Sequence, residues 1–461
     1  MLLYAVFACA TPVDSGDTAA DSADTGDAPE LAPTLTVRGD PSAAAGRAMD
    51  FASPLSGEPG AALWVAGYFV HRLCRFSGVQ GEVALSEAPV CIGSTQRDSL
   101  GFTVAAGPDT VAAGAIGGKQ NGAYAGAVYL FPLDLAEGTH DETAALTVLH
   151  GEATNDYAGT AVDWLAGAGG ASLVIGAPGS DGNGPGSGRA YLFGPPLATG
   201  EVELADAPTI IEGTTPEAAV RHGDPEAGDG VGQVMASAGD LDGDGDEELA
   251  IGCIGADDGG SNAGLVAVFS SPLPAGVLAL RDADVVITGE ADDQYVGDYV
   301  VGLGDADGDG FGDLALSGET LDREGRVWVF ASPVGSGTVA GAAAQLVGEA
   351  VLDQAGAHLA AAGDTDGDGL GDLVVGAYGH DTNGVDAGAA YLVHRPAAAG
   401  VATLGEVGLR WLGEAEGDYG GRVVAGGGDY DGDGLADLIF GAPYSDAGGA
   451  FAGSAYVVPG R

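Results

Sequence analysis

Residues 346–379 read "LVGEAVLDQAGAHLAAAGDTDGDGLGDLVVGAYG", and this stretch contains the pattern that decides the fold. Two short apolar runs, "AHLAAAG" and "LVVGAYG", flank an acidic, glycine-rich loop, and the runs "GAAYLVHR" and "LRWLGE" follow further along the chain. Each run is too short for a helix and is bounded by Gly and Asp turn residues, which indicates β-strands. The stretch therefore predicts a unit of four short strands.

The same unit recurs along the chain, and two independent marks identify it. The first mark is a short apolar segment that ends in glycine, at Gly39, Gly93, Gly151, Gly213, Gly289, Gly348 and Gly413. The second is an apolar, often aromatic strand that ends at Phe76, Phe131, Phe193, Phe269, Phe330, Val393 and Val458. Both marks give seven units of about 60 residues, which is the size of a propeller blade. One longer step contains residues 214–230, which we interpret as an inserted loop.

The two ends of the repeat region complement each other. The segment "LTVR" (35–38) has no preceding unit, and the last unit stops at "SAYVVPGR" without a fourth strand. We therefore predict an all-β fold over residues 34–461, a seven-bladed β-propeller of four-stranded antiparallel blades closed by the N-terminal strand. Such closure leaves no open edge strand.

The units resemble FG-GAP repeats, as found in the seven-bladed propeller of integrin α chains. The resemblance covers residues 34–461 and is strongest in repeats three to seven, which include "GAP" at 176–178 and 441–443. Repeats one and two lack the acidic loop. The resemblance implies an adhesion or recognition module with calcium sites in its later blades.

The resemblance also implies a ligand face, built from the loops between second and third strands and from the connections between blades. Carried over to this chain, that face includes His222, Tyr378, His380 and Tyr444, together with Tyr157, Tyr295 and Tyr419. Because the last three tyrosines recur in register, an alternative interpretation is that they pack between blades. Aromatic side chains on this face would serve as contact anchors or as platforms for sugar rings.

Four acidic loops occupy the second half of the chain: "GDLDGDGDEE" (239–248), "GDADGDGFGD" (304–313), "GDTDGDGLGD" (363–372) and "GDYDGDGLAD" (428–437). Counted from the first Asp, positions 1, 3, 5 and 9 offer carboxylate oxygens and position 7 a backbone carbonyl. An all-oxygen donor set suits Ca²⁺, whereas zinc and copper favour histidine and thiolate ligands. Position 12 lies in a predicted strand in each copy, which excludes an EF-hand.

We therefore predict four Ca²⁺ sites, in blades 4–7. The predicted side-chain ligands are Asp240, Asp242, Asp244, Glu248, Asp305, Asp307, Asp309, Asp313, Asp364, Asp366, Asp368, Asp372, Asp429, Asp431, Asp433 and Asp437. The predicted carbonyl ligands are Asp246, Phe311, Leu370 and Leu435. Since each loop closes on itself and leaves no obvious position for a substrate, the calcium is predicted to be structural.

Composition restricts the partners. The formal net charge is −52, with 67 acidic residues against 15 Lys and Arg, and such a surface repels nucleic acids and anionic membranes. Hydrophobic residues make up 46% of the chain, which excludes an acidic disordered protein. We expect a protein or glycan ligand, no nucleic acid, and membrane contact only through a lipid anchor.

The N-terminal region is typical of export. Residues 1–9, "MLLYAVFAC", resemble a signal segment with a bacterial lipobox, which predicts lipidation of Cys9, and residues 10–33 form an acidic low-complexity tether. The alternatives are a frayed apolar end and a disordered tail. The predicted location is the outer membrane as a lipoprotein, the cell surface or the periplasm. Cys74 and Cys91 fall on the third and fourth strands of the first blade, where they form either a disulfide or two reduced thiols.

Motifs for catalysis are scarce. The seven histidines show no HExxH spacing, and no GxSxG motif occurs, so the sequence favours binding over catalysis. The alternative is a carbohydrate-active propeller, either a lectin or a polysaccharide lyase or hydrolase. Acidic and basic side chains that converge on the channel mouth would favour an enzyme, and separate aromatic pockets around the ring would favour a lectin.

Overall fold

The apolar runs of each repeat form β-strands. A computed structural model describes residues 33–52, 60–213, 230–319 and 323–461. Three predictions therefore lie outside the described residues: lipidation of Cys9, nearly all of the tether at 10–33, and the placement of His222. No helix among the described residues is long and apolar enough to cross a membrane.

The described residues form 34 β-strands in chain order. They are β1 (Leu35–Arg38), β2 (Ala45–Ala52), β3 (Ala62–Gly67), β4 (Arg72–Phe76), β5 (Gly81–Ala84), β6 (Val90–Gly93), β7 (Leu100–Ala106), β8 (Thr110–Ala115), β9 (Ala127–Pro132), β10 (Gly138–Asp141), β11 (Thr147–His150), β12 (Val162–Leu165), β13 (Ser172–Ala177), β14 (Arg189–Phe193), β15 (Gly200–Glu203), β16 (Thr209–Glu212) and β17 (Val234–Ser237). They continue with β18 (Leu249–Cys253), β19 (Leu265–Phe269), β20 (Gly276–Ala279), β21 (Val285–Thr288), β22 (Val300–Gly304), β23 (Asp313–Gly318), β24 (Arg326–Phe330), β25 (Gly337–Thr338), β26 (Ala344–Val347), β27 (Ala355–Gly363), β28 (Asp372–Ala377), β29 (Ala389–Val393), β30 (Val401–Thr403), β31 (Leu409–Leu412), β32 (Val423–Gly428), β33 (Asp437–Ala442) and β34 (Ser454–Val458).

In the described part of the chain, helical structure is confined to short turns. One α-helical turn, α1 (Leu404–Val407), precedes β31. Single 3₁₀ turns lie at Tyr68–Val70, Leu85–Glu87, Glu142–Ala144, Leu204–Asp206, Leu280–Asp282, Val339–Gly341 and Pro396–Ala398.

Four antiparallel strands form each blade, from the channel outward. Blades 1 to 7 consist of β2–β3–β4–β6, β7–β8–β9–β11, β12–β13–β14–β16, β17–β18–β19–β21, β22–β23–β24–β26, β27–β28–β29–β31 and β32–β33–β34–β1. The inner strands of neighbouring blades contact one another, including β2 with β32, so the ring is closed. The prediction of an all-β, seven-bladed propeller is confirmed.

The N-terminal strand closes the ring, as predicted. Strand β1 pairs antiparallel with β34, so that Leu35 lies opposite Val457 and Arg38 opposite Ser454. Leu35 and Val37 are fully buried. The first strand of the chain is therefore the outer strand of the last blade.

A fifth strand on six of the seven blades was not predicted. Strands β5, β10, β15, β20, β25 and β30 pair parallel with β1, β6, β11, β16, β21 and β26. Each added strand comes from the connection between the third and fourth strands of the following blade. Blade 6 has four strands, because its fifth strand would have to come from blade 7. In blade 7 the third and fourth strands are β34 and β1, which lie at opposite ends of the propeller sequence, so no connection joins them. The added strands cover backbone groups that would otherwise form an open edge.

The hydrophobic core is divided among the interfaces between blades. Seven clusters of buried residues each join two neighbouring blades. In β3, Leu63 and Val65 face blade 7, whereas Trp64 faces blade 2. Because successive side chains of a strand point to opposite faces and both faces are buried here, the second strands read as continuous apolar runs.

The cysteines of blade 1 lie on adjacent strands. Cys74 of β4 and Cys91 of β6 are directly opposite each other and form a disulfide. Cys253 is buried in β18.

Candidate functional site

Each acidic loop joins the inner strand of its blade to the second strand, and its first aspartate organises the turn. In blade 5, Asp305 Oδ1 accepts a hydrogen bond from Gly308 N at 2.6 Å, and Oδ2 accepts one from Gly310 N at 3.0 Å. Both glycines have a positive φ, of 89° and 92°, which allows the chain to wrap around the carboxylate. The corresponding bonds recur in the other three loops.

The acidic residue at position 9 is buried; it begins the second strand in blades 5 to 7 and directly precedes it in blade 4. In blade 5, Asp313 Oδ2 accepts a hydrogen bond from Ala306 N at 2.8 Å, and Oδ1 accepts one from Ser332 N at 2.9 Å. This side chain therefore ties the loop to the end of the third strand, independently of any ion.

Positions 1, 3 and 9 come together in every loop. Their carboxylate oxygens lie within 4.8 Å of one another in four groups: Asp240, Asp242 and Glu248; Asp305, Asp307 and Asp313; Asp364, Asp366 and Asp372; and Asp429, Asp431 and Asp437. The donors are all carboxylate oxygens, as hard divalent cations prefer. These twelve predicted ligands thus fit Ca²⁺ in both chemistry and spacing.

Burial leaves the position-9 carboxyls poorly solvated. Burial raises the pKa of Glu248 to about 7 and that of Asp437 to about 6, and it also raises the pKa values of Asp313 and Asp372. Repulsion from neighbouring loop carboxylates acts in the same direction at Glu248. A divalent cation between the three carboxylates would offset the free-energy cost of burying their negative charge.

The carboxylates at position 5 do not join these groups. Each Oδ1 accepts a hydrogen bond at 2.9 Å from the amide at position 7 of its own loop, in Asp244, Asp309, Asp368 and Asp433. In blade 6, Asp368 also pairs with the Arg395 guanidinium, and His394 Nδ1 lies 3.5 Å from Asp366 Oδ2. The position-5 side chains and the position-7 carbonyls remain predicted ligands.

The tyrosines of the predicted ligand face form contacts between blades. The rings of Tyr378 in blade 6 and Tyr419 in blade 7 are 5.8 Å apart, and Tyr419 lies 5.3 Å from Tyr444. Tyr157 similarly lies 5.8 Å from Tyr124 of the preceding blade. These rings pack between blades.

His380 has a different environment from that of the tyrosines. Its side chain is only 6% exposed and lies 3.9 Å from Glu349 Oε1, with the Tyr391 ring beneath it. It supports the loop from within and does not present a free imidazole to a ligand.

The central channel contains polar residues that the sequence analysis missed. The inner strands of all seven blades line a cavity of about 710 Å³, which includes Arg47, Asp298, Tyr299 and His358. Each of these residues follows the glycine at the start of an inner strand by one or two positions. Alignment of the seven repeats on that glycine could have identified them. Asp50 and Asp163 lie further along β2 and β12 and also line the cavity.

Two segments of the chain match a known repeat family. The FG-GAP repeat family matches residues 355–393 and 420–458, in blades 6 and 7. No curated protein sequence matches the chain. Among solved structures, the WD40 domain of Toxoplasma gondii coronin is similar, with 9% sequence identity and a TM-score of 0.47 over 95% of this chain and 90% of that chain. The chain is a seven-bladed β-propeller in which residues 355–393 and 420–458 match the FG-GAP repeat family.

Proposed function

We propose that this protein is an exported recognition module whose later blades are stabilised by four calcium ions. The four groups of carboxylates, in the same register of four successive blades, are the observation that supports this proposal. Asp240, Asp305, Asp364 and Asp429 would each hold one ion together with the residues at positions 3 and 9. Calcium would neutralise charge in the loops and join the first and second strands of each blade.

The role of calcium in this proposal is structural. The position-1 carboxylates already bind backbone amides of their own loop, and the position-9 carboxylates bind the end of the third strand. A ligand that binds to the folded state alone stabilises it by RT ln(1 + [L]/Kd), about 1.4 kcal/mol per site at ten times Kd. Sites of millimolar affinity are typical of extracellular modules.

Export is supported by two features. The Cys74–Cys91 disulfide is of a kind that persists in oxidising compartments. The net charge of −52 suits a surface exposed to millimolar calcium. The lipid anchor at Cys9 belongs to the same proposal and is tested by mass spectrometry of the mature protein.

A rigid ring with variable loops suits recognition of a protein or glycan ligand, as in adhesion. A carbohydrate-active role is the second candidate, favoured by the charged and aromatic side chains at one mouth of the channel.

Native mass spectrometry tests the calcium assignment. The full chain in millimolar calcium should carry four ions, and Asp309→Asn and Asp307→Asn in blade 5 should each reduce the number to three. As a control, Asp257→Asn outside the loops should leave four. A wild-type protein without bound calcium under these conditions would refute the proposal.

A further inference from the structure

Two arginines lie together at one mouth of the channel. Arg47 follows Gly46 near the start of the inner strand of blade 1, and Arg422 follows the equivalent Gly421 in the neighbouring blade 7. Burial lowers the pKa of Arg47, and the positive charge of Arg422 lowers it further, so the two guanidinium groups repel each other. The Arg47 guanidinium carbon lies 5.9 Å from the centre of the Phe102 ring.

Among the residues that the structure describes, Arg47 has no carboxylate partner, although the chain is strongly acidic. Other arginines pair with carboxylates, as Arg38 does with Glu414 and Arg189 with Glu212. Within the part of the chain that the structure describes, Arg47 forms neither an ion pair nor a hydrogen bond. The chain has 67 acidic residues for 15 basic ones, so acidic partners are not scarce. An unpaired positive charge inside a channel is suited to binding an anionic ligand.

His358, Tyr299 and Asp298 complete this mouth. The His358 ring lies 4.3 Å from the Tyr299 ring. Burial lowers the pKa of His358 to about 3, and the positive charge of Arg47 contributes to this shift. Its imidazole is therefore neutral at physiological pH. Burial and the charge of Glu319 raise the pKa of Asp298 to about 7, so this carboxyl carries only part of its charge near neutrality.

Aromatic rings flank the arginines on both sides. On the blade 7 side, the Arg422 guanidinium lies 4.7 Å from the centre of the Tyr378 ring, which continues to Tyr419 and Tyr444. On the blade 1 side, Tyr68 lies 5.9 Å from Phe102, and its neighbour Phe69 is 51% exposed. Flat aromatic faces on either side of a cationic centre offer stacking surfaces for a ring-shaped ligand.

We propose, on the basis of the recognition function above, that this mouth binds an acidic oligosaccharide, with the carboxylate of one sugar at Arg47 and Arg422. A guanidinium matches a planar carboxylate through two parallel hydrogen bonds. The neutral His358 and Tyr299 provide polar groups for sugar hydroxyls, and the tyrosines provide surfaces for the sugar rings. The cavity, at about 710 Å³, is in the size range of sites for small organic ligands rather than a single inorganic ion.

Calorimetric titration of the full chain with tri-galacturonate tests the proposal. We expect saturable binding in millimolar calcium, at least tenfold weaker binding of the neutral tri-galactose, and weakening of tri-galacturonate binding at high salt. Arg47→Met keeps the length of the side chain and removes its charge, and it should weaken tri-galacturonate binding at least tenfold. Arg281→Met, at an exposed arginine on the outer part of blade 4, should bind as the wild type does.

Four outcomes would overturn the proposal: no binding of tri-galacturonate, equal binding by Arg47→Met, equal binding of tri-galactose, or stronger binding of inorganic phosphate or an acidic peptide at the same arginines. The melting temperature of each variant shows whether it is folded. If Arg47→Met is unstable, Tyr378→Phe and Tyr378→Ala provide a second test, because only the alanine variant should lose the stacking surface. Counting the bound calcium ions on the same samples separates the two proposals. A protein that carries four ions but does not bind tri-galacturonate would refute the proposed ligand and leave the proposed calcium sites unaffected.

Discussion

Gly376 of blade 6 lies so close to Gly421 of blade 7 that a Cβ at position 376 would be 2.0 Å from the carbonyl oxygen of Gly421. The same approach occurs between Gly176 and Gly232, at 2.0 Å, and between Gly252 and Gly297, at 2.1 Å. This glycine of the second strand, which is part of the "GAP" motif at 176–178, recurs in five of the seven blades and allows them to approach a neighbouring blade closely; blades 1 and 5 have Ala66 and Ser317 at the equivalent position.

Replacement of Gly376 by alanine should destabilise the propeller. The added methyl group would meet backbone atoms that cannot rotate away, and such overpacking typically costs 1–3 kcal/mol or more. Gly93→Ala is the matched control, because a Cβ at position 93 would have no atom within 4 Å. Chemical denaturation should show a lower unfolding free energy for Gly376→Ala alone. Equal values for the two variants would contradict the close approach.

Loss of strand β1 should open the ring. A chain that starts at residue 39 lacks the outer strand of blade 7 and exposes the edge of β34, whereas a chain that starts at residue 33 retains the pairing of Leu35 with Val457. We expect the shorter chain to lose its cooperative melting transition or to aggregate. The chain from residue 33 should melt as the full chain does, and circular dichroism with size-exclusion chromatography measures both. A cooperative, monomeric chain from residue 39 would show that β1 is dispensable.

Two substitutions in the blade 5 loop should separate calcium binding from backbone support. Asp313→Asn would place an amide group against Ala306 N or Ser332 N, so it should destabilise the protein both with calcium and with chelator, by about 1–3 kcal/mol. Asp309→Asn retains an oxygen for Phe311 N and should reduce stability only when calcium is present. Thermal melting of both variants with calcium and with chelator provides the measurement. An effect of Asp309→Asn in chelator would contradict the assigned roles.

The carboxyl of Asp50, which lines the channel, should make stability depend on pH. Asp50 accepts hydrogen bonds from Ala106 N at 2.7 Å and Phe51 N at 2.8 Å, yet burial raises its pKa to about 7, with a further contribution from the charge of Asp163. Between about pH 4 and 7 the folded state therefore holds a proton that the unfolded chain has released. The contribution of Asp50 to stability is present at low pH and is lost as the pH rises through this window.

Asp50→Asn should remove that dependence. The unfolding free energy of the variant relative to the wild type should increase from pH 4 to pH 7, as measured by denaturant titration at each pH. Glu82→Gln, at an exposed position of β5, is the control and should give a nearly flat difference. A flat difference for Asp50→Asn would show that its carboxyl titrates normally in the folded state.

The repeats themselves determined most of the fold. Seven copies of a four-strand unit and complementary ends at "LTVR" and "SAYVVPGR" were sufficient to predict the propeller and its closure, because strand length, turn residues and hydrophobic runs are local properties. The carboxylates at positions 1, 3 and 9 were also predictable, since a short glycine-rich loop brings residues close in sequence close together in space.

Only the tertiary structure decided which residues meet across blades. The fifth strands pair with a strand of another blade, and the "GTHD" of β10, for example, is polar and carries no hydrophobic signal. Arg47 and Arg422 are far apart in sequence, yet ring closure places them at the same mouth, where burial and mutual repulsion alter the pKa of Arg47. The sequence alone thus determined the unit and its loops, whereas closure of the ring decided the channel and its charge, because those depend on contacts between residues that are distant along the chain.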